Sequence, residues 1–188
     1  MKKNDPQDPT TESERLTMRS LSSADEALYC DLYMNADVMR YVGAPLSRQD
    51  ALDGFKKSLE LMSNPEFNRR VVVLIDRASK QPIGISSLRM LDGKKGRAEV
   101  GTLLKPGAHE KGFAQECSTA LITQAFTRPQ VKELVAYSVK DNAAIEGLLK
   151  DLGFERGGAV RSSAGRPPRV RWTIGRNEWS KRCAKKSK

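Results

Sequence analysis

The chain has 188 residues, 38% of them hydrophobic; that is the size of one domain able to bury a proper core, and its most apolar stretch, residues 71–75, falls far short of the roughly 20 residues a membrane span requires. The formal net charge of +10 lies at one end, because residues 156–188 hold eleven Lys and Arg against a single acid, Glu178, while the remainder is balanced. Three widely spaced cysteines, Cys30, Cys117 and Cys183, and a single histidine, His109, speak against a disulfide framework, a zinc site or a Ser-His-Asp relay, so the chemistry falls to carboxylates, hydroxyls and backbone amides.

Residues 1–13 lack the apolar centre of a secretory signal and read as a disordered leader, which implies a cytoplasmic protein with no membrane partner. ERLTMRSL then sets Leu16 and Met18 against Arg15, Thr17 and Arg19, the alternation of a half-buried strand. SSADEALYCDLYM opens on a Ser/Asp capping signal and spaces Ala27, Leu28, Leu32 and Met34 as a helix does. SRQDALDGFKKSLELM repeats the device, with Ser47 three residues before Asp50 and Ala51, Leu52, Phe55, Leu59 and Met62 following at helical steps. Two short β-branched runs, RRVVVLID and PIGISSLRML, are separated by RASKQ and predict a hairpin. RAEVGTLLKP is a further strand, with Glu99, Gly101 and Leu103 on one face and Val100, Thr102 and Leu104 on the other. A polar turn leads into the helical spacing of FAQECSTALITQAF; KELVAYSV is a strand, DNAAIEGLLKDLG a helix capped by Gly153, and FERGGAVR and RVRWTIG are the final strands. The order βααβββαβαββ predicts an α/β (α+β) fold, a mixed and mostly antiparallel central sheet of about seven strands with about four helices. The folded domain is expected over residues 14–179, and the closing basic stretch, 180–188, reads as a solvated, frayed tail.

Three places in this order can carry chemistry. In LLKPGAHEKGFAQE a strand stops at Pro106 and the chain turns sharply before a helix starting near Gly112. The free amides at such a helix end need acceptors, and the aligned peptide dipoles give it about half a positive charge, so a diphosphate satisfies the amides of Glu110, Lys111, Gly112, Phe113 and Ala114 together. Gly112 and Ala114 have no bulk to hold such a ligand away. Just upstream, Glu99 is a candidate general base, or else a solvent-facing carboxylate paired with Arg97 on the same face. Ser138 ends one strand and Asn142 starts the next helix, either as its cap or as an amide that holds a ligand between diverging strand ends; since Tyr137 alternates with Ser138, only one of the two faces that cleft.

Taken together, these segments resemble the GNAT superfamily of acyl-CoA-dependent N-acyltransferases over residues 14–179. Within it the nearest likeness is to the ribosomal-protein N-terminal (alpha) acetyltransferase branch, through ERLTMRSL, ADVMRYVG, AEVGTLLKP, DNAAIEGLLKDLGFERGG and RWTIGRNEW in that order. The superfamily's cofactor loop, Gln or Arg, two variable residues, Gly, one variable residue, then Gly or Ala, falls on residues 109–114. His109 stands where Gln or Arg is usual and Glu110 where glycine is common; a carboxylate beside a diphosphate is unfavourable, so Glu110 is expected to point outward or to reduce affinity. The resemblance implies acetyl-CoA as acyl donor, with no metal. It implies that Leu103, Leu104 and Lys105 run along the pantetheine arm, which Asn142 also contacts. The tyrosine that many relatives use to protonate the departing thiolate is Leu149 here; the resemblance then implies Ser138, or solvent, as the acid. A second glutamate of some relatives falls on Gly157, which leaves Glu99 as the base for direct attack of the amine on the thioester, with backbone amides near Leu103 polarising the carbonyl.

The acceptor is expected first to be the α-amino group of a protein or peptide, and second a small amine such as an antibiotic, polyamine or amino acid; one scaffold serves both. A third expectation, from another class, is a nucleic-acid-associated or regulatory protein on the same frame. There the basic C-terminal segment would meet an acidic or RNA-associated partner. In an enzyme the same arginines, Arg166, Arg169 and Arg171, would instead frame the acceptor groove and select an acidic peptide or a phosphorylated substrate. The chain is expected as a monomer or homodimer.

Overall fold

The computed structural model describes residues 10–64, 69–92, 96–109, 111–160 and 168–186; Glu110, Arg166 and most of the expected leader therefore lie outside the described residues. The described strands are β1 (Thr11–Glu12), β2 (Leu16–Ser20), β3 (Arg69–Asp76), β4 (Pro82–Asp92), β5 (Arg97–Leu104), β6 (Glu133–Val139), β7 (Glu155–Val160) and β8 (Arg169–Gly175). They form one sheet in the order β1-β2-β3-β4-β5-β6-β8-β7, antiparallel at every junction except β5–β6, which is parallel. The helices are α1 (Glu26–Met34), α2 (Ala36–Met39), α3 (Arg48–Ser63), α4 (Phe113–Thr127), α5 (Ala143–Asp151) and α6 (Arg176–Lys186).

Alternation along the strands divides the core between the two faces of the sheet. Leu21, Val71, Val73 and Ile85 pack with Leu28, Leu32, Val38 and Phe55 of α1, α2 and α3. On the opposite face Leu16, Met18, Val72, Leu74 and Leu104 meet Phe113, Cys117 and Leu121 of α4. Further along that second face, Ala98, Leu134, Ala136, Trp172 and Ile174 are closed over by Ile122 and Phe126 of α4, Leu149 of α5 and Trp179 of α6. The parallel β5–β6 junction is what α4 makes possible, since it crosses back over the sheet between those two strands.

The capping signals act as their residues predict. Ser47 accepts the amide of Asp50 at the start of α3, and Gly153, at φ 87°, ends α5 in the left-handed region that glycine adopts without strain. β1 adds a two-residue strand inside the expected leader, pairing Thr11 with Met18 and Glu12 with Thr17. A one-turn α2 is held by Asn35, whose side chain accepts the amides of Asp37 and Val38.

The expected frayed tail from residue 180 is corrected: α6 runs on to Lys186. Trp179 anchors it, 5% exposed within the core under α4. Two arginines then bind helix ends. Arg176 donates to the carbonyls of Phe126, Arg128 and Val131 at and beyond the end of α4, and Arg182 donates to the carbonyl of Asp151 at the end of α5. The carbonyls of Phe126, Arg128 and Asp151 are ones that a helix C-terminus leaves without intrahelical donors, and cations suit that end of the dipole.

Candidate active site

β5 and β6 pair over only three positions, Arg97 with Glu133, Ala98 with Leu134 and Glu99 with Val135. Beyond them β5 continues to Leu104 and β6 to Val139, so the two strands splay apart and their inward-turned backbone groups lose their ladder partners. A sheet interior that opens in this way exposes backbone donors and acceptors to any extended ligand lying between the strands. The open mouth points toward the turn after β5 and the start of α4.

That turn ends at the start of α4. Gly112 is the N-cap of α4 at φ 76° and ψ 0° and has no side chain with which to cap the helix. The first amides of α4 are thus uncapped by any side chain at the positive end of the dipole. A Cβ on Gly112 would both force an L residue into the left-handed region and stand 3.3 Å from Arg15 Nη2. Arg15 adds a cation to the same place. Its Nη1 donates to the carbonyl of Lys111 at 2.8 Å, its Nε donates to Glu116 Oε2 at 2.7 Å, and its guanidinium lies 4.8 Å from the centre of the Phe113 ring. Glu116 also accepts the Arg15 amide and the Ser13 hydroxyl. Burial alone would raise the Glu116 pKa, but these hydrogen bonds and the Arg15 charge outweigh it, and the carboxyl is held below its ordinary value. Sequence reasoning gave Arg15 and Glu116 no part in this loop, and no local pattern signals it: the two lie 101 positions apart.

The other loop residues take distinct places. Lys111 is exposed and Phe113 and Ala108 are buried against α4's side of the core, while Ala114 is half-buried. His109 Nε2 lies 3.0 Å from the carbonyl of Leu104, which ties the turn back to the end of β5. Leu104 faces the α4 side with Ala108 and Phe113, whereas Leu103 packs against the α1–α3 side; Lys105, just after the strand, donates its amide to the carbonyl of Ile83.

Glu99 and Ser138 stand on opposite faces of the sheet. Glu99 pairs with Val135, and Ser138 is three positions further along β6, so its side chain turns to the other face. Glu99 forms an ion pair with Arg89 of β4, directly across the ladder, at 2.5 Å; the cation that meets it is Arg89 rather than Arg97. Ser138 is 2% exposed, accepts a hydrogen bond from Trp172 Nε1 at 2.9 Å and donates to Glu146 Oε1 at 3.3 Å. Tyr137 is therefore the residue of the pair that shares the Glu99 face. Asn142 is the N-cap of α5, its side chain accepting the Ile145 amide at 3.2 Å, and Leu149 is buried in the core. Gly157 lies at an irregularity of the β7–β8 pairing.

Two further features bear on the chemistry. Burial pushes the Cys117 thiol up to about 11, so Cys117 is not a thiolate at neutral pH and is unsuited to a covalent acyl-enzyme. On the α1 side of β5, a cavity of about 400 Å³ is lined by Asp31, Leu32, Met34, Asn35, Val38, Lys105 and Pro106. It lies across the sheet from the start of α4, because its Leu32 and Val38 belong to the α1–α3 core and Phe113 to the other. Among the described residues no group of three or more His, Cys, Asp and Glu is placed to hold a metal, and no helix is long and apolar enough to cross a membrane.

Beside this splay between two parallel strands and the glycine-capped helix at its mouth stands a match over residues 15–155 to the family described as acetyltransferase (GNAT) domain. The chain belongs to the GNAT acetyltransferase family. Over 154 residues, 81% of this chain and 85% of the relative, it is 28% identical to an uncharacterized N-acetyltransferase p20 of Bacillus licheniformis. Among solved GNAT structures, the spermidine N-acetyltransferase of Vibrio cholerae in complex with CoA and spermine superposes with a TM-score of 0.76 at 21% identity, covering 89% of this chain and 99% of that one. A ribosomal-protein alpha-N-acetyltransferase in complex with coenzyme A superposes with a TM-score of 0.75 at 14% identity, covering 88% and 97%. The fold is thus that of GNAT acyl-CoA transferases, while the branch of ribosomal-protein enzymes is not singled out: a polyamine enzyme is as similar in shape.

Proposed function

We propose that the protein transfers the acetyl group of acetyl-CoA to the primary amine of a small molecule. The observation that carries this reading is the splay of β5 from β6 beyond the Glu99–Val135 pair, opening onto the glycine-capped start of α4. Acetyl-CoA supplies a thioester carbon that an amine can attack without metal or redox help. The amides at the start of α4, with Arg15 and Lys111 beside them, fit its diphosphate, and the backbone of Leu103 to Lys105 and the Asn142 amide fit the arm that leads into the splay. Glu99, on the open α1 side, is the group for taking the amine's proton, directly or through one water. Ser138, on the α5 side, or solvent provides the proton for the departing sulfur. Base and acid on opposite faces suit a reaction in the plane of the sheet, since the amine arrives from one side while the thiol leaves from the other. The raised thiol of Cys117 also favours direct transfer within a ternary complex over a covalent relay.

A small acceptor is preferred to a protein terminus because a GNAT relative of higher identity is named for a polyamine. The similarity to a ribosomal-protein enzyme keeps a peptide α-amine as the second reading.

The test is calorimetric titration with acetyl-CoA followed by CoA release from a panel of small amines and short peptides. Lys111 is exposed, so Lys111→Glu should keep the melting temperature while weakening acetyl-CoA binding by about tenfold, the value of one well-placed charge at a helix start. Equal affinity in both proteins, or none in either, would remove the assignment of the cradle.

A further inference from the structure

The face of the sheet that carries Glu99 continues across β6 onto β8, and its register places two arginines beside the splay. Val135, Tyr137 and Val139 of β6 pair with Thr173, Arg171 and Arg169 of β8, and Val135 pairs with Glu99, so all of these side chains turn to one face. Because β6 runs parallel to β5, the step from Thr173 to Arg171 to Arg169 runs in the direction in which the splay opens. By strand spacing and rise, Arg171 starts about 10 Å across and about 7 Å along from Glu99, within the reach of one extended small molecule and a long side chain.

Neither arginine has its charge paired by a carboxylate among the described residues. Among the described residues, the Arg171 side chain makes no hydrogen bond or ion pair and is exposed. Arg169 lies with its guanidinium 4.5 Å from the centre of the Tyr137 ring, and its Nε is buried with no hydrogen-bond partner. The stacking fixes the plane of the guanidinium, and the terminal nitrogens of a guanidinium fixed in this way match the two oxygens of a carboxylate or phosphate. On the neighbouring β7, Gly157 brings no side chain over this place; a Cβ there would stand 3.7 Å from Arg171 Nε. The other charges of the face are Glu155, paired in register with Thr173, Arg97 and Glu133, which stand opposite each other across the β5–β6 ladder, Arg69, across the ladder from Arg89, and the ion pair of Arg89 with Glu99. The arginines of α6 contrast with this pair, since Arg176 and Arg182 are occupied by helix-end carbonyls.

We infer that the acceptor is an amine that also bears an anionic group, a carboxylate or a phosphate, held by Arg169 and Arg171 while its nitrogen lies at Glu99. This rests on the proposed amine acetyltransferase activity and narrows it, and it sets the protein apart from an enzyme for polycations, which two unpaired guanidiniums beside the reacting amine would repel.

The experiment measures acetyl-CoA-dependent CoA release for acceptors matched in pairs. Free α-amino acids are compared with their amides, phosphoethanolamine with ethanolamine, and spermidine serves as the polycation. The expected result is at least a tenfold preference in kcat/KM for the anionic member of one pair, which also tells carboxylate from phosphate. Arg171→Gln, and independently Arg169→Gln, should abolish that preference through KM while leaving the neutral member's kcat/KM within about twofold, and Arg171→Lys should restore part of it. Arg171 is exposed, so its variants keep the fold even if Arg169→Gln loosens Tyr137. Preference for the neutral members or for spermidine, or a preference that survives both Gln variants, overturns the inference and leaves the acetyltransferase reading standing. Acetyl-CoA binding with no release on any amine overturns both.

Discussion

At the scale of single residues, the two groups proposed for proton transfer are held so differently that substitutions should separate them. Glu99 faces partly open water and its pair with Arg89 is half-exposed, so Glu99→Gln should leave stability nearly unchanged, as exposed pairs contribute little, while lowering kcat by about 10²-fold or more if it is the base. Ser138 is buried and is the acceptor for the indole N–H of Trp172, itself fully buried. Ser138→Ala strands that donor and should cost about 1–3 kcal/mol in urea unfolding, whatever it does to turnover; a stable Ser138→Ala protein would mean that the indole finds another acceptor. Steady-state rates and unfolding midpoints on the same two proteins check both. The candidate site was legible in the sequence where its logic is local: the glycine before a helix, a carboxylate two positions before Gly101, an asparagine at a helix start. It was not legible where it depends on pairing. That Glu99 meets Arg89 and that Ser138 turns away from Glu99 follow from the β4–β5 and β5–β6 registers, which no local window contains, and the Arg15–Glu116 brace joins segments a hundred residues apart.

At the scale of elements, the periodic segments formed as their spacing predicts because each carries its own signal: the β-branched run of β3, the Ser47 cap of α3, the Gly153 stop of α5. α6 was missed for the converse reason. It is polar nearly all round, and its tie to the core is one tryptophan and two arginines whose acceptors are backbone carbonyls at the ends of α4 and α5, partners that composition cannot show. This makes α6 a strap over the second core cluster rather than an appendage, with a measurable consequence. Trp179→Ala should remove about 3–5 kcal/mol, the range for deleting a buried aromatic, and Arg176→Ala should destabilise by less while raising hydrogen exchange at the end of α4, since it frees the carbonyls of Phe126, Arg128 and Val131 together. A frayed α6 would give both variants wild-type melting curves.

At the scale of the whole molecule, two buried or half-buried carboxylates tie the early strands to the helices on opposite faces of the sheet and should govern acid stability. Asp25, 6% exposed, is desolvated, which by itself raises its pKa, yet hydrogen bonds from Arg19 and Ser22 and the Arg19 charge bring it below its ordinary 3.8. Glu116, braced by Ser13 and Arg15, is likewise held below its ordinary 4.5. Each group stays charged in the folded protein at pH values where the unfolded chain has taken up its proton, so the unfolded state binds more protons in that window and stability rises with pH there. The contribution is complete above the ordinary carboxylate values and is lost as the pH falls through the lowered folded values. The excess of positive charge, +10 at neutral pH, grows as other carboxylates protonate and adds self-repulsion in the same range. Urea unfolding at about pH 6 and about pH 3 should therefore show a steep loss for the wild type and a shallower one for Asp25→Asn and Glu116→Gln, which are already weaker at pH 6. Equal slopes in all three would assign the acid sensitivity to net charge alone. Because Glu116 also steadies Arg15 at the start of α4, its variant alone should lose acetyl-CoA affinity at neutral pH, which links the acid-labile brace to the cradle it supports.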